Sequence, residues 1–316
     1  MLVTGANGFV GRSVCRALAG AGHQVRAAAR TTEGSRIAVS AGATSAVIVG
    51  DIGETTDWGP ALENVEVIVH LAARVHVLHE TPGDVLARFR AVNVAGTRRL
   101  AESADRAGVR RIVHASSIKV NGEVTTGEPF RETDPPAPVD AYGVSKWEGE
   151  QALRAVAARG RLEVVIVRSP LVYGPGVGGN IRTLLRAIAR GVPLPVQGIR
   201  NRRSLVGIDN LADLLVRCVE SPEAAGETFL ASDGEDLSTP ELIGHLAAGL
   251  GRPARLFRVP DRLVAAGAAL LGRQDAVDRL WGSLQVEGSK ARVRLGWRPA
   301  VPAADGLRRT GAGFER

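Results

Sequence analysis

Thr4-Gly5-Ala6-Asn7-Gly8-Phe9-Val10-Gly11 decides the fold of this chain, because it joins a short apolar run, Leu2–Thr4, to the start of a helical pattern. Gly5 permits a tight turn, Gly8 lets the backbone approach a pyrophosphate, and Gly11 lets the helix pack closely on the strand. Phosphates also bind the free N–H groups of a helix N-terminus. The stretch therefore predicts a dinucleotide site. The contacts expected from it are Gly5, Asn7, Gly8, Phe9, Val10 and Gly11.

Short β-branched runs alternate with helical stretches over the first two-thirds of the chain, as in parallel βαβ units. The predicted strands are Leu2–Thr4, Gln24–Ala28, Ser45–Val49, Val67–His70, Arg111–Ser116 and Val164–Arg168. Helices are predicted to begin near Gly11 and Pro60, and to cover 82–108 and Ala141–Ala158. This alternation is typical of an α/β fold with a doubly wound parallel sheet (Rossmann), whose ligands bind at the carboxyl ends of the strands.

After about residue 175 the pattern changes to loops rich in Gly and Pro with shorter elements between them. The predicted elements there are helix Ile181–Arg190, strand Ser204–Ile208, helix Asn210–Glu220, strand Glu227–Ala231 and helix Thr239–Leu250. We therefore expect a dinucleotide-binding domain over 1–175, to which a strand and a helix from about 204–220 contribute. A smaller C-terminal α/β lobe, mainly substrate-binding, is expected over 176–316.

The bulk composition narrows the function classes. The 316 residues are 45% hydrophobic and 23% charged, which is ordinary for a globular protein. The net charge is +7, but aromatic residues make up only 4%, too few for base stacking, so no nucleic-acid partner is expected. Two cysteines, no signal peptide and a longest apolar stretch of only Leu263–Leu271 predict a cytoplasmic protein without an integral membrane segment.

Tyr142 and Lys146 stand four residues apart in a predicted helix, so their side chains share one face. The chain has 40 basic residues but only three lysines, which indicates that position 146 needs a compact ammonium group. Lys146 can lower the pKa of the phenol, which can then exchange a proton near neutrality. The pair predicts the proton-transfer half of a carbonyl–alcohol redox reaction. Two surface residues on an amphipathic helix would give the same spacing.

The residues after the second and third strands bear on the choice of cofactor. The second strand ends in Ala27-Ala28-Ala29-Arg30, with no carboxylate to hold a ribose 2′-hydroxyl. The planar guanidinium group of Arg30 suits a 2′-phosphate instead, so NADP(H) is the predicted cofactor, with NAD(H) possible. Asp51 and Ile52, after the third strand, are expected beside the adenine.

Four further motifs follow in order: His70-Leu71-Ala72-Ala73, Asn93, Ser116-Ser117, and the run from Arg168 to Gly176. Together with the glycine loop and the Tyr142/Lys146 pair, they resemble the extended short-chain dehydrogenase/reductase family of NAD(P)-dependent epimerases, dehydratases and reductases of nucleotide sugars. The resemblance covers nearly the whole chain.

The resemblance implies a role for each matching residue. Tyr142 is the expected acid/base, Lys146 the ligand of the nicotinamide ribose, and Ser117 the hydrogen-bond donor to the reacting oxygen. Asn93 is expected to brace the backbone of the site. Further cofactor contacts are expected from Leu71, Ala72, Ala73, Asn93, Tyr142 and Lys146.

The residues after Ser117 separate the reactions of this family. Sugar dehydratases carry an Asp-Glu pair there, whereas this chain has Ile118 and Lys119, so dehydration is not expected. Ser116–Glu123, 143–148 and 283–286 resemble reductases of UDP-4-keto-6-deoxy-N-acetylhexosamines, which make UDP-N-acetylquinovosamine-type sugars for surface polysaccharide. Such a 4-keto reductase is the predicted function. The alternatives are a UDP-sugar 4-epimerase with tightly bound NAD and a redox-silent NADP-sensing regulator.

The same resemblance implies the partners of the site. Asn180 and Arg203 match positions that contact the nucleotide diphosphate, so a UDP-sugar is the expected substrate. Lys119 and His76 are the expected sugar contacts. Arg74, His76 and His79 follow the fourth strand, but no cysteine or carboxylate cluster completes a metal site there, so no metal is expected. The resemblance also implies a homodimer through helices near Arg88–Gly108 and Ala141–Ala158.

Overall fold

The computed structural model of the protein describes residues 1–75, 84–259 and 281–314. Its strands are β1 (Leu2–Thr4), β2 (Arg26–Ala29), β3 (Ser45–Ile48), β4 (Val67–His70), β5 (Arg111–Ser117), β6 (Glu163–Ser169), β7 (Leu171–Tyr173), β8 (Arg203–Gly207), β9 (Thr228–Leu230) and β10 (Asp236–Leu237). Seven of them form one sheet in the order β3-β2-β1-β4-β5-β6-β9. All six neighbouring pairs in this sheet are parallel.

The strand order reverses between β1 and β4, which is the switch point where doubly wound sheets bind their ligands. The expected α/β doubly wound parallel sheet is therefore confirmed. All predicted strands of the first two-thirds are present, with ends that differ from the expected ones by no more than two residues.

The helices are α1 (Phe9–Gly20), α2 (Thr32–Ser40), α3 (Gly59–Leu62), α4 (Val85–Arg90), α5 (Thr97–Arg106), α6 (Ala141–Ala157), α7 (Gly179–Ala189), α8 (Ile208–Glu220), α9 (Thr239–Gly249), α10 (Ser289–Leu295) and α11 (Ala303–Ala312). A π-helical turn, Ala91–Gly96, joins α4 to α5, and a short 3₁₀ turn, Ile118–Val120, follows β5. No helix among the described residues has both the length and the apolar character needed to cross a membrane.

Two apolar layers cover the large sheet, because successive strand residues point to opposite faces. On one face Val69 and Val113 pack with Leu18 of α1 and Leu214 of α8. On the other face β4 and β5 residues pack with α5 and α6; this cluster includes Ile68, Ile112, Leu100 and Leu153. Helices cover both faces of the sheet. The carboxyl ends of the strands are therefore the part of the sheet that is left open to a ligand.

The C-terminal third forms a second, smaller core around a three-stranded sheet in the order β10-β8-β7. Leu185 of α7, Leu246 of α9 and Leu307 of α11 are buried in it. The strand expected near 204 to join the large sheet lies here instead, as β8, while helix α8 does pack on the large sheet. Pro170 explains the division, because it lacks the N–H needed to continue the β6 ladder, and β7 then pairs with β8.

Candidate active site

The glycine loop after β1 has the expected close packing. Gly5 has a φ of +67°, and a Cβ there would lie 2.9 Å from the backbone nitrogen of Ala72. A Cβ on Gly11 would lie 2.1 Å from the carbonyl oxygen of Gly5. Only glycine therefore fits at these two positions, and the N-terminus of α1 is held directly over the end of β1.

The N-terminus of α1 fits a diphosphate. Gly8 is the N-cap residue, and no side chain caps the helix there and no acidic residue lies in its first turn. The first-turn N–H groups therefore have no competing side-chain acceptor, and the helix dipole favours an anion. Asn7 and Gly8 are exposed, while Phe9 and Val10 are half-buried in the first turn. The residues expected to contact the cofactor therefore lie together at this helix N-terminus.

The structure brings together Arg30 and Asp51, the two charged residues expected near the adenosine. Arg30 follows β2 directly, and its Nε lies 3.3 Å from Oδ1 of Asp51. Both side chains are largely exposed, at 74% and 89%. Asp51 thus supplies, beside Arg30, a carboxylate that β2 itself lacks. Ile52 is half-buried and lies close to Gly96, where a Cβ would be 2.6 Å from its Cγ2.

Ser117, Tyr142 and Lys146 meet at the carboxyl end of β5. Ser117 is the last residue of β5, and its side chain is hydrogen-bonded to that of Tyr142 in the first turn of α6. Asp140 caps this helix by accepting from the N–H of Gly143 at 2.7 Å. One turn after Tyr142, the ammonium group of Lys146 donates to the carbonyl oxygen of Ala115 at 2.8 Å. The structure therefore brings together all three of the expected catalytic residues.

The pKa of Tyr142 differs from the expectation. Burial and, after it, the charge of Asp140 raise the pKa of Tyr142 to about 12, against the opposing effect of the hydrogen bond from Ser117. The lowering expected from Lys146 is not among the causes of this shift. Desolvation of the phenol is the largest cause instead, and the sequence spacing alone does not report it.

Lys146 is itself strongly perturbed. Its side chain is only 2% exposed, and burial lowers its pKa to about 8, with Glu150 acting in the opposite direction. Its Nζ also lies 3.0 Å from Nε2 of His114, a residue that belongs to none of the motifs identified in the sequence. The charge of Lys146 therefore depends on the few groups that contact its buried amine.

Asn93 braces the backbone of the site, as expected. Its Oδ1 accepts from the N–H of Arg74 at 2.8 Å, and its Nδ2 donates to the carbonyl oxygen of Arg74 at 3.1 Å and to Oγ of Ser145 at 2.9 Å. Oγ of Ser145 donates in turn to the carbonyl oxygen of Tyr142 at 2.8 Å. Asn93 thus ties the loop after β4 to the first turn of α6.

The loop after β4 is also tied to β1. Oγ1 of Thr4 accepts from the N–H of Leu71 at 3.2 Å and from the N–H of Ala72 at 3.1 Å. Leu71, Ala72 and Ala73 are half-buried beside the glycine loop. These predicted cofactor residues therefore lie at the switch point.

Lys119 is held by the protein itself. Its Nζ lies 2.6 Å from Oε1 of Glu123 and 2.6 Å from Oδ2 of Asp140. Burial opposes protonation of Lys119, but the hydrogen bonds to Asp140 and Glu123 outweigh it and raise its pKa. Lys119 therefore stays charged and anchors the turn after β5 to the start of α6. Two of its three N–H donors are used in this way.

The other predicted substrate residues lie in the smaller lobe or outside the described residues. Asn180 is exposed in the first turn of α7. Arg203 starts β8, is half-buried, and donates to the carbonyl oxygen of Gly282 at 2.9 Å. His76 and His79 lie outside the described residues. Within the described residues no group of three metal-ligating side chains occurs.

A buried ionic network behind the site was missed by the sequence reasoning. Glu150 accepts from Oγ of Ser116 at 2.5 Å and forms two hydrogen bonds with Arg168, at 3.0 and 2.7 Å. Arg168 also donates to Oδ1 of Asn121 at 2.9 Å. The available signal was spacing, because Glu150 follows Lys146 by four residues and so shares its helix face.

The raised pKa of Tyr142 gives a direct prediction. The protein has only two tyrosines, so a Tyr173→Phe variant leaves Tyr142 as the sole source of tyrosinate absorbance. Without cofactor, Tyr142 should remain protonated through pH 10, where a free tyrosine is about half ionised, because burial disfavours the phenolate. Adding Ser117→Ala should shift its titration to still higher pH. A midpoint at or below about 10, in protein that circular dichroism shows to be folded, would contradict this account.

Comparison with known proteins places the chain in a family. The model of the NAD dependent epimerase/dehydratase family matches residues 1–231. A UDP-glucose 4-epimerase of Vibrio cholerae is 43% identical, over 99% of this chain and 95% of that protein. A 3-diazoavenalumate denitrifying reductase of Streptomyces sp is 31% identical, over 98% of this chain and 99% of that protein.

A solved structure, MoeE5 in complex with UDP-glucose and NAD, has a TM-score of 0.77 at 26% identity and covers 99% of this chain and 97% of its own. The resemblance inferred from the ordered motifs is therefore confirmed. This chain belongs to the NAD dependent epimerase/dehydratase family.

Proposed function

We propose that the protein is an NAD-dependent 4-epimerase of a UDP-sugar. The observation that carries the proposal is the hydrogen-bonded pair of Ser117 and Tyr142, one helical turn from Lys146, at the end of β5. The similarity of nearly the whole chain to a UDP-glucose 4-epimerase supports this function. It favours the epimerase over the 4-keto reductase that the sequence alone had put first.

Each of the three residues has a role in such a reaction. NAD, which the glycine loop and Lys146 would hold, would supply the acceptor and donor for a hydride that leaves carbon 4 of the sugar and comes back to its other face. Tyr142 takes the proton of the 4-hydroxyl group as the ketone forms, and gives it back when the alcohol is restored. Ser117 hydrogen-bonds the same oxygen and, through its bond to Tyr142, favours the phenolate.

Lys146 provides the positive charge of the site. Its position one turn from Tyr142 suits an ammonium group that binds the nicotinamide ribose and favours the ionised phenol. The carboxyl pair of a dehydratase has no counterpart after Ser117, since Ile118 is apolar and Lys119 is held by Glu123 and Asp140. The proposed chemistry is therefore redox at carbon 4 without elimination.

On the substrate side, Arg203 and Asn180 are the proposed contacts of the nucleotide diphosphate. An arginine gives two parallel hydrogen bonds to a phosphate, and Asn180 stands in the first turn of α7, whose N-terminus favours an anion. This assigns substrate binding mainly to the lobe 176–316 and cofactor binding to 1–175. A homodimer through α4–α6 and a cytoplasmic location complete the proposal.

The second candidate is NADPH-dependent reduction of a UDP-4-keto-6-deoxy-N-acetylhexosamine. Arg30 favours it, because an arginine follows β2 where an NAD site usually has a carboxylate. Asp51 weakens that argument, since its carboxylate lies 3.3 Å from Arg30 and balances its charge. A redox-silent NADP sensor is disfavoured, because a sensor has no need of the acid/base Tyr142.

The two candidates differ in how they use the cofactor. We expect NAD(H) to copurify with the protein, and UDP-glucose or UDP-N-acetylglucosamine to be converted into its 4-epimer without net consumption of NAD(P)H. Tyr142→Phe should bind NAD normally and lose turnover by a factor of about 100 or more, because it removes the acid/base. Nucleotide-sugar chromatography with a cofactor absorbance record measures both quantities.

If the protein is a reductase instead, it should consume NADPH in each turnover and need not retain a bound nucleotide. Protein that purifies without nucleotide and oxidises NADPH stoichiometrically with a UDP-4-keto-6-deoxy sugar would replace the epimerase by the second candidate. A Tyr142→Phe variant with full turnover would remove the proposed acid/base in either case.

Arg30 and Asp51 set the expected cofactor choice. If Arg30 binds a 2′-phosphate, Arg30→Ala should weaken NADP(H) by about tenfold and leave NAD(H) nearly unchanged, while Asp51→Asn should strengthen NADP(H) by freeing the guanidinium group. Titration of cofactor fluorescence gives the affinities. Comparable affinity for the two cofactors, unaltered in Arg30→Ala, would refute a role for Arg30.

A further inference from the structure

His114 lies directly beneath the proposed catalytic lysine. It stands on β5, three residues before Ser117, and its side chain is only 1% exposed. Its Nε2 lies 3.0 Å from Nζ of Lys146. On its other side it packs against His70 of β4, with ring centroids 5.1 Å apart. The sequence offered no reason to assign it a function.

The imidazole of His114 is held neutral. Burial, then Lys146, then His70 lower its pKa well below the usual value. Burial and Lys146 lower the pKa of His70 to about 3, and His70 is hydrogen-bonded through its two nitrogens to Thr4 and Thr97. Two neutral rings therefore lie under Lys146, and neither adds a charge to the site.

A neutral imidazole has one N–H and one lone pair. Since Nε2 faces an ammonium group, it is the acceptor, and the proton of His114 sits on Nδ1. Nδ1 is buried and has no hydrogen-bond partner among the described residues. An unpaired buried N–H costs stability, so packing alone would be served better by an apolar side chain of similar size. The lone pair at Nε2 is what the histidine contributes.

The donors of Lys146 can be accounted for one by one. Its ammonium group has three, and the carbonyl oxygen of Ala115 and Nε2 of His114 accept from two of them. Glu150 is nearby but is engaged with Ser116 and Arg168. His114 is therefore the side-chain acceptor that leaves one N–H of Lys146 for the cofactor.

We propose that His114 is a positioning residue for Lys146: its Nε2 lone pair keeps the buried amine charged and aims the remaining N–H at the reacting groups. The groups that face Lys146 are His114 on β5, His70 behind it on β4, and Tyr142 and Glu150 on α6. The inference deepens the proposed function, and requires only that Lys146 serves a bound nicotinamide cofactor.

Two isosteric variants separate positioning from packing. The amide oxygen of glutamine reaches about as far as Nε2 of histidine, so His114→Gln should keep the acceptor. The amide oxygen of asparagine ends near the position of Nδ1, so His114→Asn should lose it, as should His114→Leu. Thermal unfolding of each variant, compared with the wild type, shows whether the fold is retained.

The protonation of Lys146 is measurable directly, because the chain has only three lysines. In protein with isotope-labelled lysine, NMR follows the three side chains separately, and Lys119→Arg and Lys290→Arg assign them. An acceptor favours the charged amine, so its loss lowers the pKa of Lys146. His114→Asn and His114→Leu should therefore shift the equilibrium about tenfold towards the neutral amine at a given pH, and His114→Gln should not.

Cofactor binding gives the second readout. The Asn and Leu variants should bind NAD(H) about tenfold more weakly above neutral pH, where their Lys146 has lost its charge, and the Gln variant should bind like the wild type. The proposal is wrong if all three folded variants match the wild type in the pKa of Lys146 and in the affinity for NAD(H). It is also wrong if both quantities fall by the same amount in all three, because the acceptor at Nε2 then has no role. Neither measurement needs a UDP-sugar, so absence of epimerase activity would refute the proposed function and leave this test intact.

Discussion

The buried positive charge of Lys146 is the constraint on which the rest of the site depends. An isolated ammonium group of this burial loses several kcal/mol of hydration, which only hydrogen bonds and a countercharge can offset. The protein supplies the carbonyl oxygen of Ala115, the lone pair of His114, and the carboxylate of Glu150 at longer range. Glu150 also balances Arg168, so one carboxylate serves two buried cations and the cluster keeps a net positive charge. In the proposed reaction that charge acts on the phenolate of Tyr142, against the desolvation that raises its pKa.

The position of Tyr142 beside Lys146 depends on contacts between three segments. They are the loop after β4, the π-helical turn that carries Asn93, and the first turn of α6. Asn93 connects the loop after β4 to Ser145 and so to the first turn of α6. The π-helical turn that carries Asn93 lies very close to α6. A Cβ on Gly149 of α6 would be 2.4 Å from the carbonyl oxygen of Asn93. Single π turns are common at functional sites. Here the turn carries Asn93, whose side chain forms the hydrogen bonds with Arg74 and Ser145. The hydrogen bonds of Asn93 and the buried ammonium group of Lys146 together position Tyr142 for the proposed proton transfer.

The sequence was sufficient for six strands of the large sheet, for the glycine loop and for the shared helix face of Tyr142 and Lys146, because these depend on local patterns. Alternating β-branched runs predict parallel strands, and the spacing of Tyr142 and Lys146 predicts a shared helix face. Helix α2 was not predicted, since Gly34 and several β-branched and hydroxyl residues give it little helix propensity; the cap from Thr31 to the N–H of Gly34 and burial of Ala38 stabilise it.

Other features depend on contacts between distant parts of the chain. The placement of β8 in the small sheet follows from the break at Pro170 and its pairing with β7. The high pKa of Tyr142 follows from burial, which spacing does not report. His114 reaches Lys146 across 32 residues, and Asp51 reaches Arg30 across 21. The preference for NADP(H) drawn from Arg30 stays a prediction for this reason.

The central claim is that a hydride leaves carbon 4 of a UDP-sugar and returns to the same carbon on the same enzyme. The most direct measurement uses UDP-glucose or UDP-N-acetylglucosamine deuterated at carbon 4, with mass spectrometry and NMR of the product. This account predicts a 4-epimer that retains the deuterium at carbon 4 without added NAD(P)H. A product with protium at carbon 4, or no epimer from either sugar, would contradict it.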